Sequence, residues 1–362
     1  MDYNIEVKKN GNSRLDKLDF NNIPLGRTFT DHMFVCDYEN GNWVNPRIEP
    51  LGLIPTHPAA MALHYGQAIF EGMKATKDQN DTPLLFRPEL NAQRLNKSAD
   101  RMGMPNFPEE LFIEGLKRLV ALDENWIPPQ DGSALYLRPF MYADEPFIGM
   151  RAATHFKFII IASPSGPLFT RPIKLYAETK YIRAMEGGTG EAKAAGNYAA
   201  AIRPTEIAKA KGYDQVLWLD AVKHEYIQEV GTMNLFFHID NEIITPSLDG
   251  AILNGITRRS VIEILNDKGY KVVERPISIK EIFTAQDNNT LKEAFGTGTA
   301  VNITKVGEIS HNDKTIHFSD HHPIADEVLK TLNGLKNGSI KDRFNWIVKV
   351  EKSDILNSHL TH

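Results

Sequence analysis

Gly187-Gly188-Thr189-Gly190-Glu191-Ala192-Lys193-Ala194-Ala195-Gly196-Asn197-Tyr198 sets one lysine inside a run of small residues. A lysine on a solvated face usually has polar neighbours of high helix propensity. Here the neighbours are glycine and alanine, which let the backbone approach a large flat group closely. An amine confined in such a place loses hydration. Its pKa then falls, leaving a neutral nucleophile able to form a Schiff base. The same letters also read as a small-residue loop with an incidental lysine, and the segment alone does not separate the two.

Bulk properties narrow the field. The 362 residues suffice for two domains of ordinary size, each with its own core. Apolar content of 42% and charged content of 24% are those of a globular protein in water. A net charge of -5 excludes the basic field that a nucleic-acid binder needs, so no nucleic-acid partner is expected. Cys36 is the only cysteine, which excludes an intrachain disulfide, a paired-cysteine redox motif and a thiolate zinc cluster. The start resembles no signal peptide, and apolar runs such as Phe158–Ala162 are too short to span a bilayer. The expectation is a cytoplasmic protein with no membrane partner.

Organisation follows from periodicity. Residues 1 to about 30 read as a polar arm, and Phe34–Cys36 as a strand. Pro88–Met102 carries an apolar helical stripe at Leu95, Ala99 and Met102, and the cap and first-turn acids at Asn106–Glu110 predict a second helix. Ala134–Arg138 and Phe156–Ala162 read as strands, and Ser163-Pro164-Ser165-Gly166-Pro167 as a break in regular structure and an interdomain linker. Short strands are expected at 173–176, 215–219, 226–228, 234–237 and 243–244. Helices are expected at Thr257–Asp267 and from Ile324 to Leu332, where Asn333-Gly334 ends the last one. Strands and helices mix without strict alternation. This predicts a mixed α/β (α+β) chain of two domains: 1–163, a joining loop 164–172, and a larger domain 173–362.

Several motifs can be set aside. A phosphate-cradling loop needs glycine directly before its lysine, and Lys193 follows Ala192. Gly296-Thr297-Gly298 lacks the third glycine and the helix of a dinucleotide motif. His321-His322, followed by Pro323, reads as a surface loop rather than a metal site, and no metal is expected. What remains is a set of small-residue turns with polar groups embedded in them. Glu229 sits in the apolar setting of Glu229-Val230-Gly231-Thr232-Met233-Asn234, as a carboxylate paired with a buried cation would, or as an edge residue facing water. Asn254-Gly255-Ile256-Thr257 leads into a helix whose first amides suit a phosphate, or is an ordinary capped start. Phe295–Ala300 offers donors to an anion, or is a plain connection. Pyridoxal phosphate is the cofactor most often held by such a lysine.

Together these pieces resemble one family. Phe70-Glu71-Gly72-Met73-Lys74, Phe86-Arg87-Pro88 with Asn91 and Arg94, Leu135–Pro139, Gly187–Tyr198, Glu229–Asn234 and Gly296–Ala300 occur in that order. The chain is similar to the branched-chain amino acid aminotransferases, pyridoxal-phosphate enzymes of fold type IV, over nearly its whole length. The resemblance implies an active site in the interdomain cleft. It also implies a reversible transfer of the amino group of leucine, isoleucine or valine to 2-oxoglutarate. Other enzymes of the same fold, the D-amino acid aminotransferases and aminodeoxychorismate lyases, are the alternative. A phosphate-binding protein without covalent chemistry is a third reading.

The resemblance also assigns roles. Lys193 matches the lysine that bonds to the cofactor and shuttles the proton. Glu229 matches the acid on the pyridine nitrogen, Tyr198 the tyrosine on the phenolic oxygen, and Arg94 the arginine on the phosphate. Thr232, Ile256, Thr257 and Thr299 complete the cofactor set. Tyr65, Phe70, Tyr136 and Arg138 match residues lining the side-chain pocket, and Thr299 and Ala300 present amides toward the α-carboxylate. A homodimer is implied, with Asp144–Met150 as the loop that completes the partner's pocket, and Pro164–Arg171 as a loop covering the site. The mammalian members carry a cysteine pair where this chain has Val301 and Thr304, which excludes a thiol switch there.

Overall fold

The computed structural model describes residues 4–23, 26–167, 171–231 and 233–351. The chain divides into two compact units. The first holds the chain up to Pro167, the four residues Ala192–Ala195, and everything from Asn333 on; the second holds Leu168–Glu191 and Gly196–Leu332.

The first unit is laid down as β1 (Glu6–Val7), β2 (His32–Glu39), β3 (Asn42–Pro50), α1 (Met61–Tyr65), β4 (Ala68–Phe70), β5 (Met73–Lys77), β6 (Pro83–Phe86), α2 (Pro88–Arg101), α3 (Glu109–Leu122), β7 (Ala134–Ala143) and β8 (Phe156–Ser165). Among the described residues its strands form one sheet in the order β1-β3-β2-β8-β7-β5-β6, with β4 also pairing with β7. β7 alternates strictly: Leu135, Leu137, Met141 and Ala143 are buried, while Tyr136, Arg138, Phe140 and Tyr142 are half-buried on the other face. The buried face joins a core with Leu95 and Ala99 of α2 and Leu111, Phe112, Leu116 and Leu119 of α3. In antiparallel strands, residues directly opposite share a face. The pairs Phe70–Phe140 and Lys74–Tyr136 therefore set Phe70, Lys74, Tyr136 and Arg138 on the same side, away from that core.

The second unit runs β9 (Ile173–Ala177), α4 (Ala195–Ala210), β10 (Gln215–Leu219), β11 (Ile227–Val230), β12 (Asn234–Ile239), β13 (Glu242–Thr245), α5 (Ile256–Asp267), β14 (Lys271–Glu274), α6 (Ile279–Asp287), β15 (Leu291–Gly298), β16 (Asn302–His311), β17 (Lys314–His317) and α7 (Pro323–Lys336), with Ala195 of α4 and the last turn of α7 from Asn333 counted in the first. Its sheet order is β11-β10-β9-β16-β15-β12-β13-β14, with β17 also on β16. Its core gathers Leu175, Leu217, Leu235, Phe237, Ile244, Ala294 and Val306. After α7, β18 (Ile347–Lys349) pairs with β6 and so belongs to the first unit, outside the continuous C-terminal domain that the sequence suggests. No helix among the described residues is long and apolar enough to cross a membrane.

Three expectations are corrected. β8 runs through Ser163-Pro164-Ser165 instead of breaking there. Its β2 partner ends opposite Ile160, so Pro164 sits where only β7 pairs with it, the edge-like position in which proline is tolerated. α7 continues past Asn333-Gly334 to Lys336, whose carbonyl accepts a hydrogen bond from Thr76. His322 is buried instead of lying in a surface loop: its ring is 1% exposed, 3.9 Å from Glu293, which accepts the amides of Ile324 and Ala325 at the start of α7.

Candidate active site

In the first unit the site grows from α2, which Pro88 starts at a position where no amide is needed. Asn91, Arg94 and Ser98 lie on one face of it at helical spacing, and all three are buried. Arg94 meets Glu71 side-on, Nε to Oε1 at 2.8 Å and Nη2 to Oε2 at 2.7 Å. Asn91 donates to the same carboxylate at 2.7 Å. Glu71 is wholly buried, so this is a desolvated ion pair whose geometry must offset a large hydration loss. The side-on fork uses Nε and Nη2 and holds the guanidinium plane in one orientation.

One turn on, Ser98 accepts the amide of Lys193 at 2.9 Å, while the Lys193 carbonyl accepts the amide of Phe70 at 3.1 Å. A bridge between Ile69 and Ala194 adds the lysine strap to the edge of β4. The Lys193 amine lies 4.9 Å from the centre of the Phe70 ring. Burial of the amine, then the neighbouring Arg94 cation, lowers its pKa to about 8. The downward direction is the one that a lysine deprived of hydration takes.

The polar face of the sheet completes this unit's share. Arg138 donates from Nη2 to the Tyr136 hydroxyl at 2.8 Å and lies 4.6 Å from the Phe70 ring centre. Its buried Nε has no hydrogen-bond partner among the described residues, which leaves a guanidinium edge for an anion. A Cβ on Gly72 would stand 2.2 Å from the Tyr136 oxygen, so only glycine lets that hydroxyl settle against the backbone. Tyr65 stands apart from this group: it is 42% exposed at the end of α1, with its ring beside His64.

In the second unit, Glu229 is buried on β11 and accepts the amide of Leu253. Arg183 lies 3.5 Å from the same oxygen. Its burial excludes the water-facing reading of Glu229 that the sequence left open. Asn234 binds the Leu253 carbonyl at 2.9 Å and fixes the loop that enters α5. Gly255 caps that helix, and Ile256 and Thr257 are its buried first residues, whose amides have no acceptor within the helix. Thr299 and Ala300 are half-buried in the turn between β15 and β16, bounded by the paired Gly298 and Asn302. Tyr198 is half-buried in the first turn of α4. Thr189 and Asn197 clasp each other from either side of the lysine strap, at 2.6 and 2.7 Å. Thr232 lies outside the described residues.

The glycines before Lys193 differ from their first reading in one respect. A Cβ on Gly190 would meet the Ala184 Cβ and the Ala251 carbonyl oxygen, each at 2.4 Å. Smallness there serves packing against the protein's own chain. Glu71, paired with Arg94 in the first unit, and Arg183, beside Glu229 in the second, are charged residues that sequence reasoning missed.

A family model for the class IV amino-transferases matches residues 68–309, a span that holds every residue just described except Tyr65. Branched-chain-amino-acid aminotransferase 2 of Bacillus subtilis is 47% identical over 340 residues, 92% of this chain and 94% of the relative. The chain belongs to the branched-chain aminotransferases of class IV. Branched-chain-amino-acid transaminase 1 of the same organism is 44% identical over 92% of this chain and 96% of its own. Among solved structures, the branched-chain aminotransferase from Thermoproteus uzoniensis with norvaline matches with a TM-score of 0.74 and 26% identity, over 88% of this chain and 100% of that one. A second solved branched-chain amino acid aminotransferase, complexed with N-(5'-phosphopyridoxyl)-L-glutamate, matches with a TM-score of 0.71 and 25% identity, over 87% of this chain and 98% of that one. This chain is thus an aminotransferase of mixed α/β architecture.

Proposed function

We propose that this aminotransferase moves the amino group of L-leucine, L-isoleucine or L-valine to 2-oxoglutarate with pyridoxal phosphate as cofactor. The observation that carries the reading is the lowered pKa of Lys193, an amine on a strap fixed at both its amide and its carbonyl. Such an amine can bond to an aldehyde and then take and return a proton near neutral pH. When bound, the cofactor supplies a protonated ring that withdraws electrons from the substrate's α-carbon.

The protein's own groups fit that cofactor. Arg94, oriented by Glu71, and the helix-start amides of Ile256 and Thr257, with Thr299, suit a phosphate dianion. Glu229 suits a ring nitrogen that carries a proton, and Tyr198 a phenolic oxygen. Thr232 belongs to the same set by resemblance. For the substrate, Phe70 and Tyr136 offer apolar surface to an aliphatic chain, and Arg138 offers a cation to the distal carboxylate of glutamate. Thr299 and Ala300 would receive the α-carboxylate. The solved relative's complex with a phosphopyridoxyl derivative of glutamate supports both the cofactor and the acidic substrate.

Assembly as a homodimer belongs to the same reading. Leu63, Phe147, Ile148 and Met150 leave large apolar side chains exposed, 70% for Ile148 and 97% for Met150, on neighbouring segments that Phe147 and Ala59 join by a 3.1 Å backbone bond. Exposed Tyr65 lies at the end of the same helix as Leu63, where it would serve the partner's pocket.

Borohydride reduction of the protein loaded with pyridoxal phosphate, followed by peptide mass spectrometry, tests the assignment. The label is expected on Lys193, with leucine and 2-oxoglutarate giving glutamate. A label on another lysine, or no glutamate, would refute it.

A further inference from the structure

Arg183 has no role in the reading above, and sequence reasoning passed over it. It lies in the irregular stretch between β9 and the lysine strap, and its side chain is only 8% exposed. Its Nη2 donates to the Gly190 carbonyl at 3.2 Å and also to the Ala251 carbonyl. The same nitrogen lies 3.5 Å from Glu229 Oε1, the oxygen that also accepts the amide of Leu253. Two main-chain carbonyls therefore fix the guanidinium, and its charge falls on the carboxylate.

The arrangement has a chemical reason. A carboxylate buried without a cation takes up a proton instead of staying charged. A protonated acid would donate a hydrogen bond toward a ring nitrogen and could not stabilise a proton there. Main-chain carbonyls suit the anchoring task because they accept from a guanidinium without neutralising it. Glycine at 190 is part of the device: any Cβ would collide with Ala184 and with the Ala251 carbonyl that Arg183 uses.

We infer that Arg183 is a positioning residue for Glu229, keeping that carboxylate ionised and aimed before any cofactor arrives. The inference rests on the proposed pairing of Glu229 with the cofactor's ring nitrogen.

A double-mutant cycle on the full-length apoprotein tests it, with pyridoxamine phosphate as the probe because it binds without a bond to Lys193. Arg183→Met is expected to weaken binding about thirtyfold, as loss of one partner of a buried charge pair does. In a Glu229→Gln background the same change is expected to cost no more than about threefold, since its target is gone. Arg183→Lys, which keeps the charge and so carries the test should the methionine variant not fold, is expected to bind within about fivefold of the native protein. Inorganic phosphate, competing for the same site, should keep its affinity within about twofold in all variants, a result that general unfolding would not give. Additive losses in the cycle, or native affinity in Arg183→Met, would overturn the inference while leaving the function intact. Failure of the native apoprotein to bind the probe, or native affinity in Glu229→Gln alone, would instead sink the reading on which it rests.

Discussion

Glu71 grips Arg94 by two parallel hydrogen bonds of 2.7 and 2.8 Å, with Asn91 held on the same carboxylate. The pair is a buried charge with its counter-charge, so removing one member strands the other in a medium that solvates it poorly. Glu71→Gln is expected to destabilise the protein by about 3 kcal/mol and to weaken phosphate binding, because the fork that orients Arg94 is lost. Urea unfolding and titration with inorganic phosphate check it. Unchanged values in both would mean that the pair orients nothing.

Lys193→Ala should abolish transamination while pyridoxal phosphate still binds non-covalently through Arg94 and the turns. Spectral titration and a turnover assay separate the two effects. Residual turnover at the native rate would remove Lys193 from the chemistry.

Lys74, Lys193 and Lys336 all have pKa values pushed down, to about 8, 8 and 7, mainly by burial; for Lys336 the Lys74 cation adds to it. The unfolded chain holds these protons up to the ordinary lysine value of 10.5. Between about pH 8 and pH 10 the unfolded state therefore binds more protons, and stability rises with pH. Apoprotein unfolding midpoints across that range should climb, and Lys193→Met should flatten part of the climb. A fall over the same window would contradict the sign.

Gly72→Ala would drive a methyl group into the Tyr136 hydroxyl, which must then leave both the backbone and Arg138. Because Tyr136 is the movable partner, the fold should survive. The KM for 2-oxoglutarate should rise roughly tenfold, an effect of about 1.4 kcal/mol, with leucine less affected. Equal changes for both substrates would separate Tyr136 from the discrimination.

Ile148→Lys with Met150→Lys places two charges in the exposed apolar patch. If the patch is a dimer surface, light scattering should report monomers at concentrations where the native chain is dimeric. A dimer that persists in the double variant would place the interface elsewhere.

The elements legible in the sequence were those with a local signature. α2 and α3 announced themselves by proline, first-turn acids and an apolar stripe, and β10 fell on 215–219 as its apolar run predicts. Lys193, Glu229 and the Gly255 helix start were visible because glycine or apolar neighbours isolate a polar group. Glu71 and Arg183 were not visible. Each is an ordinary charged residue in sequence, and only folding places its partner beside it, 23 residues away for Arg94 and 46 for Glu229. The course of β8 through Pro164 and of α7 through Gly334 escaped for a related reason: tertiary partners override local stop signals there.

The four residues Ala192–Ala195 enter the first unit from a chain that belongs to the second on both sides, and β18 returns to it from the far end. Neither unit is one uninterrupted stretch of polypeptide. Cutting the gene after Pro167 would yield a fragment lacking Lys193 and an edge strand, so exchange of whole modules between relatives needs several splice points rather than one.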